Sequence, residues 1–232
     1  MTASLWVVIP AAGHGARFGS TTPKQYQPLN GKTVLEQTID CFARRQDVRG
    51  IVVAVAATDP WIEQLDLPGA VILVQGGSER VDSVAAAVQY LATIADPADQ
   101  VAVHDAARPC VSQALLDRLF AAAWQADSGV IPALPAADTV KQVSDGYIDG
   151  TLDRRHIWLA QTPQVFALGL LQRALDKARA CRQPVTDDAS AIELLGLRPQ
   201  VIEGERCNIK ITMADDLPLA AFFLAASNGN SI

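Results

Sequence analysis

The residues best suited to chemistry crowd into one short stretch. Between residues 13 and 24 the chain carries Gly13, Gly15 and Gly19 together with two cations, Arg17 and Lys24. Glycines let a backbone turn its N–H groups toward a ligand, and backbone donors beside fixed cations suit a phosphate chain. The spacing G-x-G-x-x-x-G is one residue too long for a dinucleotide fingerprint. Lys24 also lacks the preceding glycine and the following Ser or Thr of a Walker A loop. These residues alone leave two readings open, a phosphate loop and a structural turn.

Four other places carry polar groups at informative positions. Gly76-Gly77 stands just before a helical pattern whose first turns hold Arg80, Asp82 and Ser83. Those three are either ordinary capping and surface charge or part of a ligand site at an exposed helix start. Asp105 follows the apolar run Gln100 to His104, at a strand end where wound sheets bind ligands. Its carboxylate either holds a divalent cation shared with phosphate oxygens or pairs with Arg108 to close a turn. His104 reads as a structural strand-end residue. Thr186, Asp187 and Asp188 read as a cap and the acidic first turn of a short helix. Lys210, between Ile209 and Ile211, lies on a solvent-facing edge or points into a polar pocket.

The elements that must position these groups follow from periodicity. Leu5–Ile9, Gly50–Ala57, Ala70–Val74, Gln100–His104 and Gly129–Leu134 are apolar runs of strand length, suited to burial on both faces. Between them, Thr33–Arg44, the stretch from Arg80 and Gln113–Ala126 show helical spacing. Thr162-Pro163-Gln164 reads as a turn before a helix over Leu168–Cys181. Gln200–Glu203 and Asn208–Thr212 read as short strands and Ala214–Ala226 as the last helix. Strands alternating with helices predict an α/β fold with a wound, mostly parallel sheet. Asp138 to Asp153 breaks the rhythm with an alternating hairpin around Asp145-Gly146. It has too few apolar residues for its own core, and an isolated hairpin is marginal in water. It is therefore expected to rest on a second subunit.

Composition narrows the classes. The chain has 232 residues, half of them hydrophobic, enough for one large domain. A net charge of −6 argues against a nucleic-acid binder. No apolar run approaches the length of a membrane span. The four cysteines form no C-x-x-C pair, and free thiols fit the cytoplasm.

Taken together, the motifs resemble a known family. Pro10-Ala11-Ala12-Gly13 with Gly15, Arg17, Gly19 and Pro23-Lys24-Gln25 is similar to the signature loop of nucleotidyltransferases with a glycosyltransferase-A-like fold. Several further motifs follow in order: Gly76-Gly77-x-Glu79-Arg80-x-Asp82-Ser83, Val103-His104-Asp105-Ala106-Ala107-Arg108-Pro109, Asp138-Thr139-x-Lys141, Thr162-Pro163-Gln164, Thr186-Asp187-x-Ala189-Ser190 and Asn208 to Thr212. This set resembles the 2-C-methyl-D-erythritol 4-phosphate cytidylyltransferases of the non-mevalonate isoprenoid pathway.

The resemblance implies that CTP and methylerythritol phosphate react to give the cytidine-diphosphate alcohol and pyrophosphate, with Mg²⁺ or another divalent cation as cofactor. It implies that Arg17 and Lys24 bind the triphosphate and stabilise the transition state, and that Lys210 reaches the α-phosphate and the incoming phosphate. It implies that Ala11, Ala12, Gly13, Gly77 and Ser83 frame the cytosine and ribose, with Pro10, Gly15 and Ala106 also binding the nucleotide. Asp105 would hold the metal beside the nucleotide. Arg154, as a catalytic and substrate-binding residue, and Thr139 would bind methylerythritol phosphate from a β-arm over residues 138–157. That arm would also clasp a homodimer. Arg108, Thr162, Thr186 and Asp187 would lie on the substrate side. Ribitol-5-phosphate cytidylyltransferase and a non-catalytic nucleotide-binding regulator are the alternatives.

Overall fold

The first strand, β1 (Leu5–Pro10), lies in the interior of the sheet, and its side chains alternate between two cores. Leu5, Val7 and Ile9 point to one face, and Trp6 and Val8 to the other. This computed structural model describes residues 3–13, 18 and 21–227. A small hairpin of β2 (Pro28–Leu29) and β3 (Lys32–Thr33) follows, turned at Asn30 and Gly31, both with positive φ. Thr33 then caps α1 (Val34–Ala43): its hydroxyl accepts from Glu36 N, and the Glu36 carboxylate accepts from Thr33 N. Such a reciprocal cap contributes about 1 kcal/mol.

The chain next lays β4 (Val48–Val55) parallel to β1, and β5 (Val71–Gln75) parallel to β4. After α2 (Arg80–Leu91) it crosses to the other side of β1 and adds β6 (Gln100–Val103), again parallel. The strand order therefore reverses between β1 and β6, which opens a crevice at their carboxyl ends. α3 (Gln113–Ala123), capped by the Ser112 hydroxyl, leads into β7 (Val130–Pro135).

The arm consists of β8 (Val140–Ser144) and β9 (Tyr147–Leu152), paired only with each other. Asp145 and Gly146 both take positive φ, as a tight two-residue hairpin turn demands. β10 (Trp158–Ala160) then returns antiparallel to β7. β11 (Gln164–Ala167) inserts antiparallel between β6 and β7. Helices α4 (Leu168–Cys181) and α5 (Asp188–Glu193), strand β12 (Gln200–Glu203) parallel to β7, and α6 (Asp216–Ser227) complete the chain.

Helices cover both faces. Leu35, Ile39 and Phe42 of α1 and Leu115, Leu116 and Leu119 of α3 fill one core. Val84, Val88 and Leu91 of α2, Leu171 of α4 and Ile192 of α5 fill the other. Each such fully buried side chain contributes about 1.5–3 kcal/mol, which holds the strand ends in fixed register. α6 packs separately, through Ala220, on Leu29, Val34, Cys110 and Ile211.

The expected mixed sheet, mostly parallel, is present, with three departures. Asn208–Thr212 is not a strand. It is extended, with Ile211 buried, but it crosses the strand ends and forms no ladder; Ile211 N donates to Ala107 O. Gln164–Ala167, expected as turn and helix approach, is strand β11. The cap of α5 is Asp187, not Thr186: its carboxylate accepts from Ser190 N at 2.9 Å.

Candidate active site

The crevice at the carboxyl ends of β1 and β6 gathers side chains from five segments. Its wall contains Pro10, Ala11 and Gly13 from β1 and its exit, Lys24 and Gln25, Arg80 at the start of α2, Asp105 to Ala107 after β6, and Lys210. Of the candidates, Pro10, Ala11, Gly13, Lys24, Asp105, Ala106 and Lys210 thus line one pocket. Arg17, Gly15 and Gly19 lie outside the described residues.

Tight packing shapes the small-residue side. A side-chain carbon on Gly77 would fall 2.3 Å from Asp82 Cβ. On Gly76 it would fall 2.8 Å from both Ala12 Cβ and Ser83 Oγ. The two glycines therefore let the loop after β5 close onto both Ala12 and α2. Ser83 is buried, and its hydroxyl accepts from Gly77 N at 3.2 Å, so it shapes the loop after β5 and does not itself line the pocket. Asp82 keeps the ordinary capping role, accepting from Glu79 N.

The charged side centres on Asp105. Its Oδ1 accepts from Arg80 Nε at 3.0 Å. Its Oδ2 meets Lys210 Nζ at 2.8 Å and Arg108 Nε at 3.5 Å. Burial alone would raise the Asp105 pKa, but the charges of Arg80, Lys210 and Arg108 outweigh it and hold the carboxyl well below its usual range. The pairing with Arg108 is present, and it is one of three. Lys210 points into this polar pocket while its Ile209 and Ile211 neighbours pack beneath. Lys24 Nζ donates to Ile211 O, tying the glycine loop's exit to the Lys210 segment.

Arg80 is not a surface charge. Its Nη1 and Nη2 reach Asp188 Oδ1 and Oδ2 at 3.3 and 2.7 Å. Asp188 is correspondingly buried, with a side chain only 1% exposed, and is not a solvated helix-dipole residue. Lys24, Arg80, Arg108 and Lys210 against Asp105 and Asp188 leave two positive charges in excess, beside a frame of small residues. That arrangement suits a polyanionic nucleotide.

Supporting residues stand behind the wall. Thr162 Oγ1 accepts from Asp105 N at 3.0 Å and bonds His104 Nδ1 at 3.1 Å, so Thr162 lies under Asp105. His104 is fully buried, with Nε2 on Arg108 O; burial lowers its pKa to about 4, which keeps it neutral and structural. Arg108 Nη1 holds Asn208 O at 2.7 Å. Asp187 accepts from Gln164 Nε2, and Thr186 is exposed beside it. Thr139 and Arg154 are exposed on the arm and do not line this pocket.

Gln25, Gln164, Arg80 and Asp188 all support the site, although the family resemblance assigned none of them a role. The Gln25 amide donates to both Ala11 O and Gly13 O, clamping the exit of β1. Gln164 spans β11 and α5, donating to Asp187 and accepting from Ala189 N. The signals for the two glutamines were their places in Pro23-Lys24-Gln25 and Thr162-Pro163-Gln164. Among the described residues no group of three His, Cys, Asp or Glu side chains is placed to hold a metal ion. Asp105 is the one carboxylate on the pocket wall among them.

Known proteins share both sequence and shape with this chain. It is 45% identical over 223 residues to the 2-C-methyl-D-erythritol 4-phosphate cytidylyltransferase of Acinetobacter baylyi, covering 95% of this chain and 93% of that one. The enzyme of that name from Chromobacterium violaceum is 45% identical over 222 residues, covering 94% and 97%. The crystal structure of the Francisella tularensis 2-C-methyl-D-erythritol 4-phosphate cytidylyltransferase superposes with a TM-score of 0.85 at 39% identity, covering 95% and 100%. Residues 5–226 match the family described as IspD, 2-C-methyl-D-erythritol 4-phosphate cytidylyltransferase. That span takes in every segment of the crevice and the arm, and the chain belongs to the 2-C-methyl-D-erythritol 4-phosphate cytidylyltransferase family.

Proposed function

We propose that this chain transfers the cytidylyl group of CTP to 2-C-methyl-D-erythritol 4-phosphate, releasing pyrophosphate. The carrying observation is the meeting of Lys24, Arg80 and Lys210 around Asp105, beside the frame of Ala11, Gly13 and Ala106, in a chain of this family. An oxygen of the methylerythritol phosphate attacks the α-phosphorus of CTP. The bond from that phosphorus to the bridging oxygen of pyrophosphate breaks in line. No covalent enzyme intermediate is needed; catalysis rests on positioning and preorganised charge.

Lys24, with Arg17, binds the triphosphate and stabilises charge on the α-phosphoryl group. Lys210 bridges the α-phosphate and the incoming phosphate. Pro10, Ala11, Ala12, Gly13, Gly15, Gly77, Ser83 and Ala106 frame base and ribose, mostly through backbone groups, in a space too small for a purine. Arg108 and Thr162 keep Asp105 in place, and Asp187 with Thr186 supports the substrate side. Asp105, the one carboxylate on the pocket wall among the described residues, would hold a magnesium ion. When bound it neutralises triphosphate charge.

The chain acts as one nucleotidyltransferase unit over residues 1–232, with residues 138–157 as its arm. Exposed Val143, Tyr147 and Ile148 give that arm an apolar surface, which supports a homodimer in which Arg154 and Thr139 serve the partner's pocket. No helix among the described residues is long and apolar enough to cross a membrane, and we place the enzyme in the cytoplasm. The test is pyrophosphate release with CTP and Mg²⁺, run in parallel with methylerythritol phosphate and ribitol 5-phosphate. Fast release with the first alone is expected; fast release with ribitol 5-phosphate alone would overturn the assignment.

A further inference from the structure

Asp188 is a carboxylate without an obvious task. It starts α5, is almost wholly buried, and does not line the nucleotide pocket. Burying an ion pair is weak evidence for stability, because desolvation offsets much of the attraction. Its better-attested use is to fix one arrangement among several. Here the arrangement concerns Arg80. A guanidinium facing a carboxylate prefers a bidentate fork, with two parallel N–H bonds. Toward Asp105, Arg80 does not adopt it: only Nε reaches Asp105, on Oδ1, while Nη1 and Nη2 are both given to Asp188. Asp105 Oδ2 is thereby left for Lys210 at 2.8 Å and Arg108.

We infer that Asp188 is a positioning residue for cytidylyl transfer: by holding the Arg80 fork it keeps Asp105 Oδ2 for Lys210, and so aims Lys210 at the reacting phosphates. The location of Asp188 is itself fixed. Gln164 on β11 accepts from Ala189 N and donates to Asp187, which pins the start of α5 to the strand beside β6. With Asp188 neutralised, Arg80 is released to engage both oxygens of Asp105 and competes with Lys210 for Oδ2. A small misplacement of a group aimed at the transition state can lower the rate by up to about a hundredfold. The inference rests on the assignment of Lys210 above.

The test uses the full chain with Asp188→Asn, Asp188→Glu, Arg80→Lys, Lys210→Ala and the double variant Asp188→Asn/Lys210→Ala. Turnover, the two KM values and the thermal midpoint are measured for each. Asp188→Asn is expected to lower kcat about tenfold or more, with KM for CTP within about threefold of wild type. Asp188→Glu should recover part of that loss. The double variant should be no slower than Lys210→Ala, because residues acting in series are non-additive. Arg80→Lys keeps a cation beside Asp188 but loses the fork, and should reproduce the kcat loss even if Asp188→Asn folds poorly. A purely structural role predicts a lower thermal midpoint, unchanged kcat for the folded fraction, and additive losses in the double variant; that pattern would overturn the inference. An inactive Lys210→Ala beside a fully active Asp188→Asn overturns this inference alone. A fully active Lys210→Ala overturns the assignment of Lys210 together with it.

Discussion

The crevice and the arm carry the same kinds of residue and are built in opposite ways. Around the crevice, each charged group is tied to a distant segment: Arg80 to Asp105 and Asp188, Lys24 to the carbonyl of Ile211, Arg108 to that of Asn208. On the arm, the bonds are local. Lys141 meets Thr151 across the hairpin, Arg155 folds back on Asp153, and Arg154 bonds the carbonyl of Ala137. The crevice sits on strands buried on both faces, whereas nearly every residue of β8 and β9 is exposed. A site held by long-range ties over a packed core is preorganised within one chain. A hairpin held only by itself needs a second surface before it can position anything.

The largest effect should come from the crevice cations. Arg17→Ala or Lys24→Ala is expected to lower turnover about a hundredfold or more with the fold retained, since a charge aimed at the transition state contributes about 2.7–4 kcal/mol. Near-normal pyrophosphate release from either variant would remove it from the mechanism.

On the arm, Arg154→Ala should raise KM for methylerythritol phosphate by roughly tenfold or more, the loss of a charged hydrogen bond, and leave KM for CTP unchanged. At low methylerythritol phosphate, mixing Arg154→Ala with Lys24→Ala should recover turnover beyond the sum of the two variants measured apart, because one mixed pocket then has both intact parts. Failure of the mixture to exceed that sum would mean that each arm serves its own chain.

Gly77→Ala tests the packed side. With a carbon placed 2.3 Å from Asp82 Cβ, the loop has to shift. Overpacking of about 1–3 kcal/mol predicts KM for CTP raised by about tenfold, with KM for the alcohol phosphate little changed. Equal rises in both would show that the two halves of the site are not separable.

A separate effect, read in folding and not in turnover, is acid stability. The unfolded chain takes up a proton at His104 near pH 6.5, while the folded chain refuses it until about 4. Stability therefore falls as pH drops through that window, by roughly 3 kcal/mol at most from this group. Denaturant titrations at pH 7 and pH 4.5 should show a shallower loss for His104→Gln, if that variant folds.

Much of this molecule was legible in one dimension. Apolar runs of strand length announced β1, β4, β6 and β7, because strands buried on both faces leave no polar position to hide them; β5 was announced in the same way but is half-exposed at the sheet edge, not buried on both faces as expected. Asp145-Gly146 announced the hairpin, because few other residue pairs accept two positive φ values in succession. The glycine loop, Asp105 and Lys210 were visible as chemistry because charges stood where strands end.

Other features needed the folded chain. β11 is four residues long and runs straight into α4, so nothing local separates it from a helix approach; it exists because β6 and β7 leave a slot between them. Asn208–Thr212 alternates like a strand, yet it lies across the strand ends, where no neighbour offers a ladder. Asp188 reads locally as a helix-start acid, and its burial against Arg80, 108 residues away in sequence, is a fact of tertiary structure alone. Periodicity and turn chemistry are local, so the sequence by itself determined the elements and the types of group at their ends. Which carboxylate meets which cation depends on how distant elements pack, and only the tertiary structure decided that.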